Sequence, residues 1–406
     1  MEVVTISVRG MDRMRLVVVS EFAYSEVSPT AAGTQIRAIR DLFTKRGWRV
    51  TVAVPSTDGG QGPADEVDIK RLVTYETLRQ RLGSPIAAIF FPLSLAQYLE
   101  CFRAARPNLI IVSAYSPFLL FEPLLVARLL GIPVVYDVLD SWIVLSAVHP
   151  GRLRNWLRRA AERLALSRGD LVIGVTKRGI RLLEQVYHIS PSKLMMVPRG
   201  LDSRVKARQS TPVYDVIHAG PPRDYYDNQG ALDFLAGLAA QRSGFRAAYL
   251  GIPDGAIKQN LQAQLERRGI AKCVDLLPPV PRSEVIEWTS RSRAGLVALT
   301  KKQVYASTVS TKSYDYIAAG IPILYLGPKE SEQAEIIMHF GIGRVAETPP
   351  GLVEEARRIL SDDVTLRQLR ESSRVAADTL SWDKVLDPLY RRTMELALPG
   401  GERRET

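Results

Sequence analysis

Residues 309–322 read VSTKSYDYIAAGIP, and this segment predicts a loop, a short helix, a glycine stop and then a strand. Ser310 or Thr311 can cap the start of the helix, because their hydroxyls can accept from free first-turn amides. Gly320 suits the left-handed position that ends a helix, and Pro322 prevents the helix from continuing. The segment therefore predicts a helix that leads directly into a buried strand.

The same alternation continues through the whole chain. Short runs rich in Val, Ile and Leu alternate with helical patterns, which is typical of parallel sheets with crossover helices. The predicted strands are Leu16–Ser20, Val50–Val54, Leu109–Ser113, Val134–Asp137, Leu171–Val175 and Met195–Pro198 in the first half, and Val216–Ala219, Ala247–Leu250, Val274–Leu277, Gly295–Leu299, Ile323–Leu326 and Arg344–Ala346 in the second. The fold class is therefore α/β, with two doubly wound Rossmann-like domains that face a cleft.

The length of 406 residues also fits two domains better than one. A polar linker between Asp202 and Tyr214 separates the halves, so we place the domains at residues 1–203 and 204–380, followed by a last segment at 381–406.

The start lacks the features of a secretory signal, and Met14, directly before the first strand, is a second candidate for the initiating residue. Two distant cysteines, Cys101 and Cys273, indicate neither disulfides nor zinc, which fits a reducing cytoplasm.

The positive charge is concentrated in the first half, where 26 Lys and Arg face 17 Asp and Glu, a net charge of +9. Much of it lies in a predicted basic amphipathic helix over residues 152–168, which carries six arginines. Leu153, Trp156, Leu157 and Leu164 follow helical spacing within it. Near an anionic leaflet each arginine contributes about 1 kcal/mol, which predicts a peripheral membrane contact. The alternative is a helix packed on the core with a solvated arginine face. No nucleic-acid-binding signature is present.

Two apolar stretches, residues 86–98 and 117–139, are short or interrupted by charges and prolines, so we interpret them as buried elements rather than membrane spans. The four histidines form no ligand pair and no nucleophile–base pattern. We therefore expect no cofactor.

Lys312 and Asp315 are the candidate functional residues of the opening segment. They lie three apart on one face of the predicted helix, beside the cleft. The helix start offers free amides and a partial positive charge to a diphosphate, Lys312 adds a full charge, and Asp315 can accept from ribose hydroxyls. The alternative is an ordinary surface Lys–Asp pair.

The same segment resembles the donor site of retaining glycosyltransferase family four, which usually has Pro-Ser-Lys-x-x-Glu-Tyr-x-Ala-x-Gly-x-Pro. Residues 172–176 with 196–202 are similar to the interdomain pattern of that family, which ends in Pro-Asn-Gly-Val-Asp. Ser381-Trp382-Asp383 is similar to the Ser-Trp-Asp that opens the last helix. The resemblance implies the glycosyltransferase-B fold, with the last helix crossing back to the first domain and the donor bound by the second.

Further residues are implied by the resemblance alone. Gly220 with Asn228-Gln229-Gly230 looks like the first loop of the donor domain, where Gln-Gly replaces the common Lys-Gly. Arg223 of that loop would bind phosphate. Asp140-Ser141-Trp142 resembles the Asp-x-Trp found on the acceptor side of a branch with N-acetylfucosamine transferases of bacterial O-antigen synthesis. That branch implies a role in polysaccharide biosynthesis.

The resemblance thus predicts donor-binding residues at Gly33, Gly220, Arg223, Gln229, Ser310, Thr311, Lys312 and Asp315, and catalytic roles for Lys312 and Asp140. Gly33 follows the first strand and opens a helix, where this fold has its glycine loop, although a simple turn also explains it. Asp140 would order the acceptor, and its alternative is a carboxylate that caps the loop after a strand.

The sequence departs from the family at its two-glutamate motif, where it has Ser307 and Asp315. Arg199 also replaces the usual asparagine. These departures keep two alternatives open: a partner subunit without activity of its own, and a nucleotide-sugar 2-epimerase. No Asp-x-Asp occurs, which argues against the metal-dependent fold, so no metal is expected. The leading prediction is a hexosyl- or N-acetylhexosaminyl-transferase that moves a sugar, with retention, from a nucleotide-sugar to a glycan or lipid-linked acceptor.

Overall fold

The computed structural model describes residues 14–21, 31–55, 69–74, 77–78, 91–147, 149, 151–201, 211–302 and 305–398. Within these residues the chain forms two parallel β-sheets, of seven and six strands. The predicted α/β class with two Rossmann-like domains is confirmed. Most of the predicted linker lies outside the described residues, as do the first thirteen residues and the C-terminal tail.

The first sheet has the strand order β3-β2-β1-β4-β5-β6-β7. Its strands are β1 (Arg15–Ser20), β2 (Arg49–Pro55), β3 (Ile69–Leu72), β4 (Leu109–Ser113), β5 (Val134–Val138), β6 (Leu171–Gly174) and β7 (Leu194–Met196). The helices between them are α1 (Ala31–Lys45), α2 (Phe91–Ala105), α3 (Pro117–Leu130), α4 (Trp142–Leu145), α5 (Arg152–Arg168) and α6 (Lys177–Tyr187), with a short 3₁₀ turn at Pro191–Lys193.

The second sheet has the order β10-β9-β8-β11-β12-β13. Its strands are β8 (Tyr214–Ala219), β9 (Ala247–Leu250), β10 (Val274–Leu277), β11 (Ser292–Ala298), β12 (Ile323–Leu326) and β13 (Gly343–Ala346). The helices are α7 (Asn228–Gln241), α8 (Ala256–Arg267), α9 (Arg282–Ser290), α10 (Thr311–Ala319), α11 (Glu332–Phe340), α12 (Pro349–Ser361), α13 (Asp363–Thr379) and α14 (Trp382–Ala397).

All twelve predicted strands are present, and their bounds lie within two residues of the prediction except at the start of β11, which begins three residues earlier, at Ser292. The additional strand β3 reads IKRL and pairs only with β2, at the edge of the first sheet. Both strand orders reverse direction beside the first strand of their sheet, between β1 and β4 and between β8 and β11. In open parallel sheets such switch points open a crevice at the carboxyl ends of the strands, which is where ligands bind.

The last helix joins the two domains. The backbone N–H of Trp382 donates to the carbonyl of Leu201 over 3.1 Å, and α14 then packs along α1, with an ion pair of 2.9 Å between Arg46 and Asp387. A second link crosses the cleft, because the Glu332 carboxylate accepts from the backbone N–H groups of Lys177 and Arg178 at the start of α6. The helix implied by Ser-Trp-Asp is therefore present and does cross back.

The basic helix α5 has the predicted bounds, but its apolar stripe does not pack on the core. Leu153, Trp156, Leu157 and Leu164 are 72%, 63%, 53% and 44% exposed. The face that is buried instead carries Asn155, Glu162, Ala165 and Leu166. The alternative of a core-packed helix with solvated arginines is therefore correct for the helix as a whole, but the face that packs on the core is not the predicted apolar stripe. None of the described helices has both the length and the apolarity that crossing a bilayer requires.

Candidate active site

The start of α10 lies at the cleft side of the second sheet and has the features of a candidate anion site. Ser310 occupies the N-cap position, but the predicted cap is wrong: its hydroxyl makes no capping bond and lies 3.4 Å from the Tyr226 hydroxyl. Gln333 instead accepts from the Ser310 backbone N–H over 2.9 Å. Within the described part of the chain, the first-turn N–H groups of Thr311 and Lys312 have no partner. They remain available to an anion, which the helix dipole also favours.

Lys312 is only 6% exposed, and so is Asp315 on the next turn, which rules out the surface-pair alternative. The Lys312 ammonium lies 4.5 Å from the centroid of the Tyr226 ring, a cation–π contact. Gly220, at the end of β8, has φ +93°, and a Cβ there would lie 2.6 Å from the Lys312 Nζ. A glycine is therefore needed at this position, both for the backbone conformation and for the approach of the ammonium.

The pKa of Lys312 is lowered to about 7. Burial is the main cause, the Asp315 carboxylate opposes it, and the nearby Arg223 guanidinium adds to it. An ammonium that is poorly solvated and close to another cation is stabilised when a dianionic ligand arrives. The electrostatics of the site therefore favour a diphosphate.

The affinity for a nucleotide-sugar should fall as the pH rises through 7. The bound diphosphate holds Lys312 in its protonated form, whereas the free site loses that proton with a pKa of about 7. We expect the dissociation constant to rise about tenfold between pH 6 and pH 8. Calorimetry at several pH values measures it, and Lys312→Met should flatten the dependence. An equal slope in both proteins would show that another group titrates.

The other predicted donor residues divide into two groups. Gly220, Arg223, Ser310, Thr311, Lys312 and Asp315 come together around the start of α10. Gln229 does not join them: it is exposed in the first turn of α7, where its amide bonds to Gln264 over 2.8 Å and to Arg268 over 2.8 Å. Gly33 lies in the other domain, in the first turn of α1.

Asp140 follows β5 and faces the second domain. It lines a pocket with Val144 and Leu182 of the first domain and with Ser307 of the second. The carboxyl is open to solvent at one side, yet the surrounding protein desolvates it, and its pKa is raised to about 6. A hydrogen bond from the Tyr115 hydroxyl and the positive charge of Arg199 lower the pKa and so oppose this effect. A carboxylate at the meeting point of the domains can accept a hydrogen bond from a substrate hydroxyl.

A second, fully buried carboxylate lies behind Asp140. Asp137 accepts from the amide of Gln35 over 2.8 Å and from the Ser113 hydroxyl over 2.9 Å. Burial raises its pKa to about 7. Tyr115 and Asp137 were not predicted as site residues, because each lies in or directly after an apolar strand that pattern alone identifies as core. Their position at strand carboxyl ends is the signal that could have found them.

Glu162 of α5 accepts hydrogen bonds from the loop that follows β5. Its carboxylate accepts from the Ser141 hydroxyl over 2.8 Å, from the Trp142 backbone N–H over 2.9 Å and from the Tyr187 hydroxyl. The Arg158 guanidinium of the same helix lies 4.3 Å from the Trp142 ring centroid. The basic helix is thus joined directly to the loop that carries Asp140.

Comparisons with known proteins agree with this architecture. Residues 30–200 match the family model described as the glycosyl transferase 4-like domain. In structure the chain is similar to sucrose-phosphate synthase from Thermosynechococcus elongatus (13% identity, TM-score 0.71, 94% of this chain and 100% of that one). It is also similar to HepE of Anabaena in complex with UDP (14%, 0.72, 94% and 100%). WaaG, a glycosyltransferase involved in lipopolysaccharide biosynthesis, is a third similar structure (16%, 0.65, 96% and 100%).

No curated protein matches the sequence. The family model covers the first domain, and these structures share the two-domain glycosyltransferase-B architecture. The fold that the resemblance implies is confirmed.

Proposed function

We propose that this chain transfers a hexose or N-acetylhexosamine from a nucleotide-sugar to a glycan or lipid-linked acceptor, with retention and without a metal ion. The observation that carries the proposal is the buried Lys312 ammonium, 6% exposed, beside the free amides that start α10. Burying a cation costs free energy unless an anion compensates it. A nucleotide diphosphate in the cleft supplies that compensation.

The donor class has support from a relative, because HepE of Anabaena has been solved with UDP-glucose as well as with UDP. A panel of nucleotide-sugars that differ in base and in sugar, measured by protection against thermal unfolding, tests it for this chain. A ligand at 100 times its dissociation constant should stabilise the protein by roughly 2.7 kcal/mol. If no member of the panel protects the protein, the donor assignment is wrong.

The reaction breaks the bond between the anomeric carbon and the diphosphate and forms a bond from that carbon to an acceptor oxygen. Negative charge grows on the leaving diphosphate, where Lys312, Arg223 and the amides at the start of α10 stabilise it. We propose that the acceptor approaches on the side of the leaving group, which gives retention, and that the departing phosphate takes the acceptor proton. Asp140, across the cleft, then orients the acceptor hydroxyl. Ser307 lines the same pocket and leaves space where the family has a glutamate.

The exposed stripe of α5 supports an acceptor held at the cytoplasmic face of an anionic membrane. Its leucines and Trp156 can enter the interface while the arginines around them meet anionic headgroups. Helix α3 packs against α5 and adds two exposed leucines, Leu125 and Leu129, at 48% and 73%. Exposed large apolar side chains on two helices that pack together mark a candidate interaction site.

Replacing Leu153 and Leu157 together by aspartate should weaken binding to anionic vesicles about tenfold, because both are exposed on the proposed membrane face and the change adds two negative charges. Vesicle sedimentation at low salt measures it. Wild-type binding should weaken as the Debye length shortens from about 30 Å at 0.01 M to about 8 Å at 0.15 M salt. The matched control is Val364→Asp with Val375→Asp, valines of α13 with 54% and 59% exposure. Equal loss in both double variants would contradict the membrane face.

A further inference from the structure

A groove of about 650 Å³ runs between α5 and α6, on the helix that carries the proposed membrane face. Its apolar lining comes from Trp156, Ala160, Leu164 and Val186, and Arg159 and Arg163 line it as well. The groove therefore combines an apolar lining with two cations. Such a lining suits a ligand that has both an apolar part and an anionic group.

The two arginines are placed to hold one phosphate. They are separated by four residues on one helix, so their side chains lie on the same face about one turn apart. Both are exposed, and among the described residues neither guanidinium makes a hydrogen bond or a close ion pair, although the charge of Arg159 acts on the Glu162 carboxylate. Guanidinium groups that are uncommitted in this way bind phosphate oxygens through charge-assisted hydrogen bonds.

We propose that this groove is a binding site for a phosphate carried on a single aliphatic chain, with the phosphate on Arg159 and Arg163 and the chain along Trp156, Leu164 and Val186. The inference rests on the proposed function in one respect: such a molecule is the anchor of a lipid-linked acceptor. It differs from the membrane face, because a groove holds one molecule and is saturated by it, whereas a membrane face responds to the leaflet as a whole.

The groove also lies next to the acceptor side of the cleft. Tyr187, another of its lining residues, donates a hydrogen bond to Glu162, and Glu162 holds Ser141 and Trp142. The residue before Arg159, Arg158, lies over the Trp142 ring. A lipid anchor bound in the groove is therefore in contact with the elements that position the loop of Asp140.

Calorimetric titration of the full chain with decyl phosphate, below the concentration at which it forms micelles, tests the proposal. We expect saturable binding of one molecule per chain. Arg159→Gln with Arg163→Gln should weaken it at least tenfold, and Ala160→Trp, which fills the groove without changing its charge, should do the same. The matched control is Arg152→Gln with Arg168→Gln, which removes the same charge from exposed positions of the same helix outside the groove and should change the affinity less than twofold.

Two further ligands distinguish the sources of affinity. Decyl maltoside, which has the chain without the charge, and inorganic phosphate, which has the charge without the chain, should each bind at least tenfold more weakly than decyl phosphate. Equal binding of either one, or equal losses in the groove and control variants, overturns the proposal.

The proposed function can fail separately. A wild type that transfers sugar to a lipid-linked acceptor but does not bind decyl phosphate refutes the groove alone. A wild type that binds decyl phosphate through Arg159 and Arg163 but never releases nucleoside diphosphate refutes the transferase and supports the groove.

Discussion

Replacing Lys312 by alanine should lower kcat/KM for the nucleotide-sugar by about 100-fold or more, the typical cost of losing one preorganised donor to a developing anion. The ammonium is 6% exposed and lies beside Gly220 and the start of α10. After its removal, neither bulk water nor another side chain supplies the lost positive charge at this buried position. Because it contacts both the bound and the departing diphosphate, donor affinity and turnover should fall together. Steady-state kinetics and calorimetry measure the two losses.

A loss of fold would produce the same result, and two measurements separate the causes. Burial lowers the pKa of Lys312, so the charged form is disfavoured in the folded protein, and its removal should leave the thermal stability of the ligand-free protein unchanged or higher. Lys272→Ala, at an exposed lysine of the same domain, is the matched control and should keep full activity. Wild-type kinetics in Lys312→Ala would remove α10 from the donor site.

Glu162→Gln should cost about 2 kcal/mol of stability in the first domain, because the buried Oε2 that accepts three hydrogen bonds becomes a weaker, neutral acceptor and the new NH2 group at the Oε1 position meets another donor, the Trp142 N–H. The loop from Asp140 to Trp142 should then lose its support. Hydrogen–deuterium exchange should increase in residues 140–146 and stay constant in the second domain. The Michaelis constant for the acceptor should rise, while donor affinity stays at the wild-type value.

Glu184→Gln is the control for this variant, since Glu184 is an exposed glutamate of the adjacent helix α6. It should leave exchange and kinetics unchanged. A Glu162→Gln variant whose donor affinity falls as much as its acceptor affinity would show a general loss of structure rather than a loss of positioning.

The strands were predictable because buried parallel strands must be apolar on both faces, and runs such as Leu109–Ser113 and Ala247–Leu250 are bounded by turn residues. The edge strand β3 was not. Its IKRL sequence pairs on one side only, so nothing in its pattern separates it from a loop. A strand of this kind is fixed by its neighbour rather than by its own residues.

The two faces of α5 show where periodicity stops being informative. Spacing identified an apolar stripe but could not show whether protein covers it, because that depends on which helices pack beside α5. In the sequence, Glu162 is only a single acid among the six arginines of this helix. Its burial depends on Ser141, Trp142 and Tyr187, which are separated from it by 21, 20 and 25 residues, so no local pattern reveals it.

In the candidate donor site, the residues that share helix α10 were predictable from the sequence, whereas the more distant Gln229 was not. Lys312 and Asp315 share a helix, so their proximity follows from helical geometry alone. Gln229 was predicted only from its resemblance to the first loop of the donor domain, and its amide bonds to α8 and to the residue after it instead. The pKa of Lys312 could not be predicted at all, because it arises from burial by Tyr226 and Gly220, nearly a hundred residues away in sequence.

Release of nucleoside diphosphate from the best-bound nucleotide-sugar, measured with and without a lipid-linked acceptor fraction and in the presence of a chelator, shows whether the chain is a transferase. We expect release that depends on the acceptor, survives the chelator and disappears in Lys312→Ala. Conversion of the nucleotide-sugar without any acceptor would instead identify an isomerase. Tight donor binding with no release under any of these conditions would identify a partner subunit, and either result would contradict the transferase.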